Sequence, residues 1–210
     1  NYQINIEGAQ DCKGNMASII HFEFRIPDPI SAGDLIINEL MYHPLDAAGE
    51  YIEIVNRSSE YKDLKNLKIG ITSRGETRGN TTFISPDSHI LVPGGYVVLC
   101  KNKMVLTQEW EFDPGLDVLE ITDWKSLPDH EGSVILSDRA GSTVDQITYT
   151  DSLHSDFMVS NEGVALERRT LTDCSDRFLC WTSASFSTKY GSPGKENTRH
   201  SGHVPGKEEI

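Results

Sequence analysis

Apolar and polar positions alternate with period two on either side of a polar break in GDLIINELMYHPLDAAGEYIEIVNRSS, residues 33–59. Successive side chains of a strand point to opposite faces, so Leu35, Ile37, Glu39 and Met41 are expected on one side of a first strand. Tyr51, Glu53 and Val55 are expected on one side of a second. Each strand thus carries an acidic residue inside an apolar run. Similar runs recur between Gly, Pro, Asn and Asp clusters, and predict further strands near Tyr2–Ile6, Ala17–Arg25, Leu67–Thr72, Thr81–Ile84, Tyr96–Lys101, Ser133–Ser137, Thr143–Tyr149 and Val164–Arg169. Helical periodicity is almost absent. The pattern is that of an all-β sandwich.

Turn chemistry supports the strand order. Asp138-Arg139-Ala140-Gly141 separates two apolar alternations and supplies a glycine for a positive φ, which predicts a hairpin between Val134–Leu136 and Val144–Ile147. Pro93-Gly94-Gly95 predicts another turn, leading into Tyr96. Ile26-Pro27-Asp28-Pro29 reads as a stiff linker and a boundary. Residues 107–130 read as an irregular surface excursion pinned by Trp110, Phe112 and Trp124, and the polar stretch 198–210 as a weakly ordered tail in which His200 and His203 are solvated.

Composition narrows the function. The 210 residues suffice for one sandwich and an appendage, and a net charge of −13 opposes contact with nucleic acid or anionic membranes. No apolar run is long enough to span a bilayer, so no transmembrane segment is expected in this chain. Asn1 opens inside a strand pattern, as in a fragment of a longer precursor. Of four cysteines, Cys174 and Cys180 enclose five residues that can turn back to form a disulfide. Cys100, at the end of a strand, reads as an inert buried thiol. Asn56-Arg57-Ser58 and Asn80-Thr81-Thr82 are glycosylation sequons in form; Asn56 is expected to close a turn by bonding the backbone two residues on.

No catalytic motif is present, and the seven histidines have no repeated partner spacing. The candidate chemistry is the pair Glu39 and Glu53. These carboxyls either accept hydrogen bonds from backbone amides, or ligate a cation such as calcium, although no loop has calcium-ligand spacing. Calcium is therefore not required as a cofactor and none other is implied. Arg57 or a shared proton could balance the pair, and His43, beside the loop of Asp46 and Glu50, could join it. A glycosidase pair would further need a cleft.

Taken together, INEL at 37–40, EYIEIVNRS at 50–58, DLKNLKI at 63–69, LVPGGYVVLC at 91–100, GVALER at 163–168, and WTSAS with YGSPGKEN within 181–197 resemble the lamin tail domain, in particular its bacterial, extracellular form. The resemblance implies an immunoglobulin-like β-sandwich over 34–197. Residues 1–33, with GAQDCKGN at 8–15, resemble the closing strands of a preceding bacterial immunoglobulin-like module plus a linker. Coiled-coil heptads are lacking, so a filament-forming role does not carry over. The expectation is a non-catalytic module of an exported or cell-surface protein, a spacer or an adhesion domain for an unidentified protein or glycan. The alternatives are an accessory domain of a metal-dependent hydrolase, a nuclease or phosphoesterase, and a carbohydrate-binding module that presents Trp110 and Trp124.

Overall fold

A computed structural model describes residues 2–46, 49–73, 81–112, 114–172 and 177–198. Its strands are β1 (Tyr2–Ile6), β2 (Ile20–Phe24), β3 (Leu35–Met41), β4 (Tyr51–Asn56), β5 (Lys62–Asp63), β6 (Lys68–Ser73), β7 (Thr81–Phe83), β8 (Ile90–Leu91), β9 (Tyr96–Cys100), β10 (Asp117–Glu120), β11 (Glu131–Ser137), β12 (Thr143–Thr150), β13 (Leu166–Arg168) and β14 (Trp181–Ser183). A six-stranded sheet in the order β10-β9-β4-β3-β13-β14 faces a four-stranded sheet in the order β12-β11-β6-β7. The two form an immunoglobulin-like β-sandwich.

Its core follows from the alternation. Leu35, Ile37, Leu40, Ile52, Ile54, Val97, Leu99 and Leu166 of the larger sheet meet Ile69, Ile71, Val134, Leu136, Val144, Ile147 and Tyr149 of the smaller, and Trp181 of edge strand β14 joins the same cluster. Leu64 and Leu67, in the turn between β5 and β6, are both buried there. The hairpin β11–β12 forms, with a register shift between Leu136 and Ser137, Asp138 N donating to Ser142 O at 2.9 Å and Gly141 at φ 91°.

Three features depart from the sequence reading. First, the register shifts at a bulge between Ile37 and Glu39, so Leu35 and Ile37 face the core while Glu39 and Met41 face away from it. Strict alternation placed all four on one side; an extra residue, Asn38, reverses the parity. Second, the 107–130 region is not uniformly irregular. A short helix α1 (Lys103–Glu109), capped by the Asn102 side chain on the amides of Met104 and Val105, carries the chain to β10, which runs parallel to β9. With one buried residue in α1, Leu106, helical periodicity had too few positions to register. Third, the larger sheet is covered on both faces. Met41, Tyr51, Val98, Cys100 and Ala165 on its outer face form a second cluster with Leu106 and Val118, over which Trp110, Phe112 and Leu116 pack.

Among the described residues the β1–β2 hairpin pairs only with itself. The linker after it is tied down, Asp28 N donating to Tyr61 O at 2.9 Å and Lys62 Nζ to Pro29 O at 2.8 Å. Among the described residues no helix is long and apolar enough to cross a membrane.

Candidate functional site

The bulge at Asn38 does more than set register. It turns Glu39 to the outer face, directly between Glu53 of β4 and Glu167 of β13. Three carboxyls therefore stand side by side across three adjacent strands, where cross-strand β-carbons lie roughly 4.5–5.5 Å apart. All three residues are 0% exposed.

What seals them is the chain segment 190–198, which lies over this face as a strap. Ser192 donates its backbone N–H to Glu39 Oε1 at 2.8 Å, and its hydroxyl lies 3.2 Å from Glu39 Oε2 and 2.7 Å from Glu167 Oε1. Gly194 N donates to Glu53 Oε2. Thr198 gives both its amide, at 3.0 Å, and its hydroxyl, at 2.7 Å, to Glu167 Oε2. From the sheet itself come Tyr51 OH, at 2.7 Å from Glu39 Oε1, and Asn38 Nδ2, at 2.7 Å from Glu53 Oε1. Every one of the six carboxyl oxygens thus has a partner. Asn38 also locks the strap, its Nδ2 donating to Asn197 Oδ1 at 2.8 Å while Asn197 Nδ2 donates to Arg168 O at 2.7 Å and Asn38 O at 3.1 Å.

Two strap glycines are required by contact. A Cβ on Gly191 would sit 2.7 Å from both Tyr51 OH and a Trp110 ring carbon; one on Gly194, at φ +80°, would overlap Leu116.

No lysine, arginine or histidine is bonded to the row among the described residues. Burial, then the neighbouring Glu167 charge, pushes the Glu39 carboxyl up to about 8; burial, then Glu39, pushes Glu53 well above the ordinary carboxylate range. Arg57, a partner envisaged from the sequence, instead donates to Gly33 O and, at 2.8 Å, to Leu171 O. Among the described residues no group of three or more His, Cys, Asp or Glu is arranged to hold a metal ion. Calcium takes about 6–8 oxygens, and here each carboxyl oxygen already has a protein partner.

His43 does not join the glutamates. It lies just past the C-terminal end of β3, its ring 5.8 Å from that of His130, whose Nδ1 is 2.9 Å from Asp151. The neighbouring His154 is buried, bonds Ser183 Oγ at 2.9 Å, and is held down to about 4, chiefly by burial. Glu50 accepts from Trp124 Nε1 at 2.5 Å, and burial raises its carboxyl. Trp124 and Trp110 are both half-buried, each packed against a hydrophobic cluster.

Cys180 is disulfide-bonded, and Cys12 and Cys100 are free. Cys174, its expected partner, lies outside the described residues. Burial pushes the Cys100 thiol up to about 11, as suits an inert core cysteine. Asn56 is fully buried, donating to Glu60 O and Leu91 O and accepting from Ser58 N at 3.0 Å, so this sequon is a turn and not an open acceptor. Asn80, His200 and His203 lie outside the described residues.

Comparison with known families matches the Lamin Tail Domain over residues 29–151. The chain belongs to the lamin tail domain family. No curated protein matches it. The family is a non-catalytic, immunoglobulin-like one, in agreement with the sandwich of this lamin tail domain. Glu39 and Glu53 fall inside the matched segment, whereas Glu167 and the strap that completes the row lie beyond it. Sequence reasoning missed Asn38, Glu167, Ser192, Asn197 and Thr198. The one available signal was Glu167 in GVALER, a third acid inside an apolar strand run.

Proposed function

We propose that this lamin tail domain is a non-catalytic module of an exported or cell-surface bacterial protein, serving as a structural spacer or as an adhesion or ligand-binding domain. The observation that carries this reading is the sealed acid row: the three carboxyls that converge at Glu39 are buried, and each oxygen is engaged by a strap or sheet partner. Carboxyl chemistry on a substrate needs a cleft and an accessible acid. A row closed on both sides serves cohesion.

The disulfide at Cys180 supports an oxidising compartment. The hairpin supports a modular arrangement. Tyr2 faces Phe24, Ile4 faces Phe22 and Ile6 faces Ile20, an apolar stripe that remains 40–53% exposed. A two-stranded hairpin is marginal alone, and its bare face suits the sheet of an adjoining immunoglobulin-like module. For ligand binding, an open cleft of about 300 Å³ lies beside the strap, lined by Ile90, Val92, Tyr96, Leu116 and Asp117. Pockets of that volume are at the lower end of small-ligand sites.

The test is made on the full-length protein in the cells that produce it. Antibody against residues 34–197 should label intact cells, and Cys180 should resist alkylation until the sample is reduced. Labelling only after lysis, with Cys180 freely alkylated, would overturn the reading.

A further inference from the structure

The Ser192 hydroxyl has one hydrogen and two carboxyl neighbours, Glu39 Oε2 at 3.2 Å and Glu167 Oε1 at 2.7 Å. One hydrogen serves one of these contacts. The other is a hydrogen bond only if a carboxyl proton donates into the hydroxyl oxygen; otherwise two buried acceptors confront each other, at a cost that buried groups rarely bear. The remaining donors cannot substitute, because the amides of Ser192, Gly194 and Thr198, the Thr198 hydroxyl, Tyr51 OH and Asn38 Nδ2 are each committed to another oxygen of the row.

We propose that the strap 190–198 is a proton-operated latch: it stays docked on the outer sheet face while Glu39 Oε2 carries a proton and donates it to Ser192 Oγ, which in turn donates to Glu167 Oε1. When that proton passes to solvent, Ser192 keeps a single hydrogen for two carboxylates, and like charges on neighbouring strands push against each other beneath the strap.

The groups facing the row from each packed element reinforce this. From β4 come Tyr51, which already donates to Glu39, and Glu53; from β13, Glu167; from β9, Val98 and, at its start, Tyr96, whose phenol burial and the Glu53 and Glu196 charges push up to about 12. In the strap itself Lys195 and Glu196 are exposed. Arg168, next to Glu167, spends its guanidinium elsewhere, with Nε on Ile37 O at 2.8 Å and Nη2 on Asp145 at 3.1 Å. Among the described residues no basic group is hydrogen-bonded to the row. Glu39, the acid placed at the centre of the row, is also one whose carboxyl burial and Glu167 hold protonated to about pH 8, so the latch would open in mildly alkaline solution.

The decisive comparison sets the whole wild-type chain against Glu39→Gln. Glutamine keeps an oxygen for Tyr51 and Ser192 N, and points an NH₂ at Ser192 Oγ in place of the acid proton. In wild type, strap amide protection relative to that of β3 and β4 should fall about tenfold per pH unit once the carboxyl titrates, and carboxyl ¹³C shifts at pH 7 should show a protonated Glu39. Glu39→Gln should hold the strap docked with no such fall up to pH 9. The proposal is overturned if all three carboxyl carbons are ionised at pH 7, or if strap protection falls identically in the two proteins. Should Glu39→Gln fail to fold, the wild-type carboxyl titration decides alone.

Discussion

Asn38 is the residue on which bulge, acid row and strap converge, and truncating it should cost far more than its size suggests. In Asn38→Ala, Glu53 Oε1 loses the donor now at 2.7 Å, Asn197 Oδ1 loses one at 2.8 Å, and Asn197 Nδ2 loses the acceptor at 3.2 Å. All of these groups are buried. Leaving a buried polar group without its partner costs about 1–3 kcal/mol, so two orphaned acceptors predict a loss on the order of 3 kcal/mol. In a chain of 210 residues that corresponds to a Tm lower by roughly 6–12 °C. Guanidinium unfolding followed by tryptophan fluorescence reads the free energy, and calorimetry reads Tm. Because Asn38 and Asn197 share two of the lost bonds, the double variant with Asn197→Ala should cost about 1 kcal/mol less than the sum of the single ones. A loss below about 0.5 kcal/mol for Asn38→Ala, or strict additivity in the cycle, would refute the reasoning.

Other expectations can be measured on the same material. Glu39 keeps its proton in the folded chain to about pH 8, whereas an unfolded glutamate releases it near 4.5, so the native state binds more protons between these values. Stability should then fall as pH rises through that window, by up to about 1.4 kcal/mol per pH unit for one such group; a flat or rising profile in urea melts would contradict it. His154 acts at the opposite end, being neutral in the fold down to about pH 4 but protonated below 6.5 when unfolded. Its contribution, on the order of 3 kcal/mol, is complete above pH 6.5 and lost as pH falls toward 4, and His154→Gln should shallow that acid limb. Calcium in millimolar excess should leave the melt unmoved, and a calcium-dependent rise in Tm abolished by Glu53→Gln would convert the row into a cation site. Deleting residues 1–26 should change the sandwich's unfolding free energy by less than about 1 kcal/mol, since a contact it removes is an Arg25 guanidinium 4.6 Å above the Tyr61 ring.

The fold was legible where apolar spacing is long and repetitive. β3, β4, β9, β11 and β12 lie where alternation put them, because each contributes several side chains to one core and has Gly, Asn or Asp at its ends. Short elements escaped. β10 and α1 bury too few residues for a period to emerge, and β14 has three residues, which a pattern of two cannot distinguish from chance. The site was half legible. An acid inside an apolar strand run marks Glu39 and Glu53 as unusual, but a one-residue bulge at Asn38 set the face on which they meet, and the strap donors Ser192 N and Gly194 N arrive from 153 and 141 residues away. Periodicity carries no information on such a crossover. Nor did proximity in sequence find the right neighbour for His43, which meets His130 across a loop end and not the glutamates.

The strap closes the outer sheet face, and amide hydrogen exchange on the whole chain at pH 6.5 tests that most directly. The amides of Ser192, Gly194 and Thr198, each donated to a buried carboxyl oxygen, should exchange as slowly as those of β3 and β4 and be released with them. Exchange of these three amides at the rate of an open chain, with β3 and β4 still protected, would contradict it.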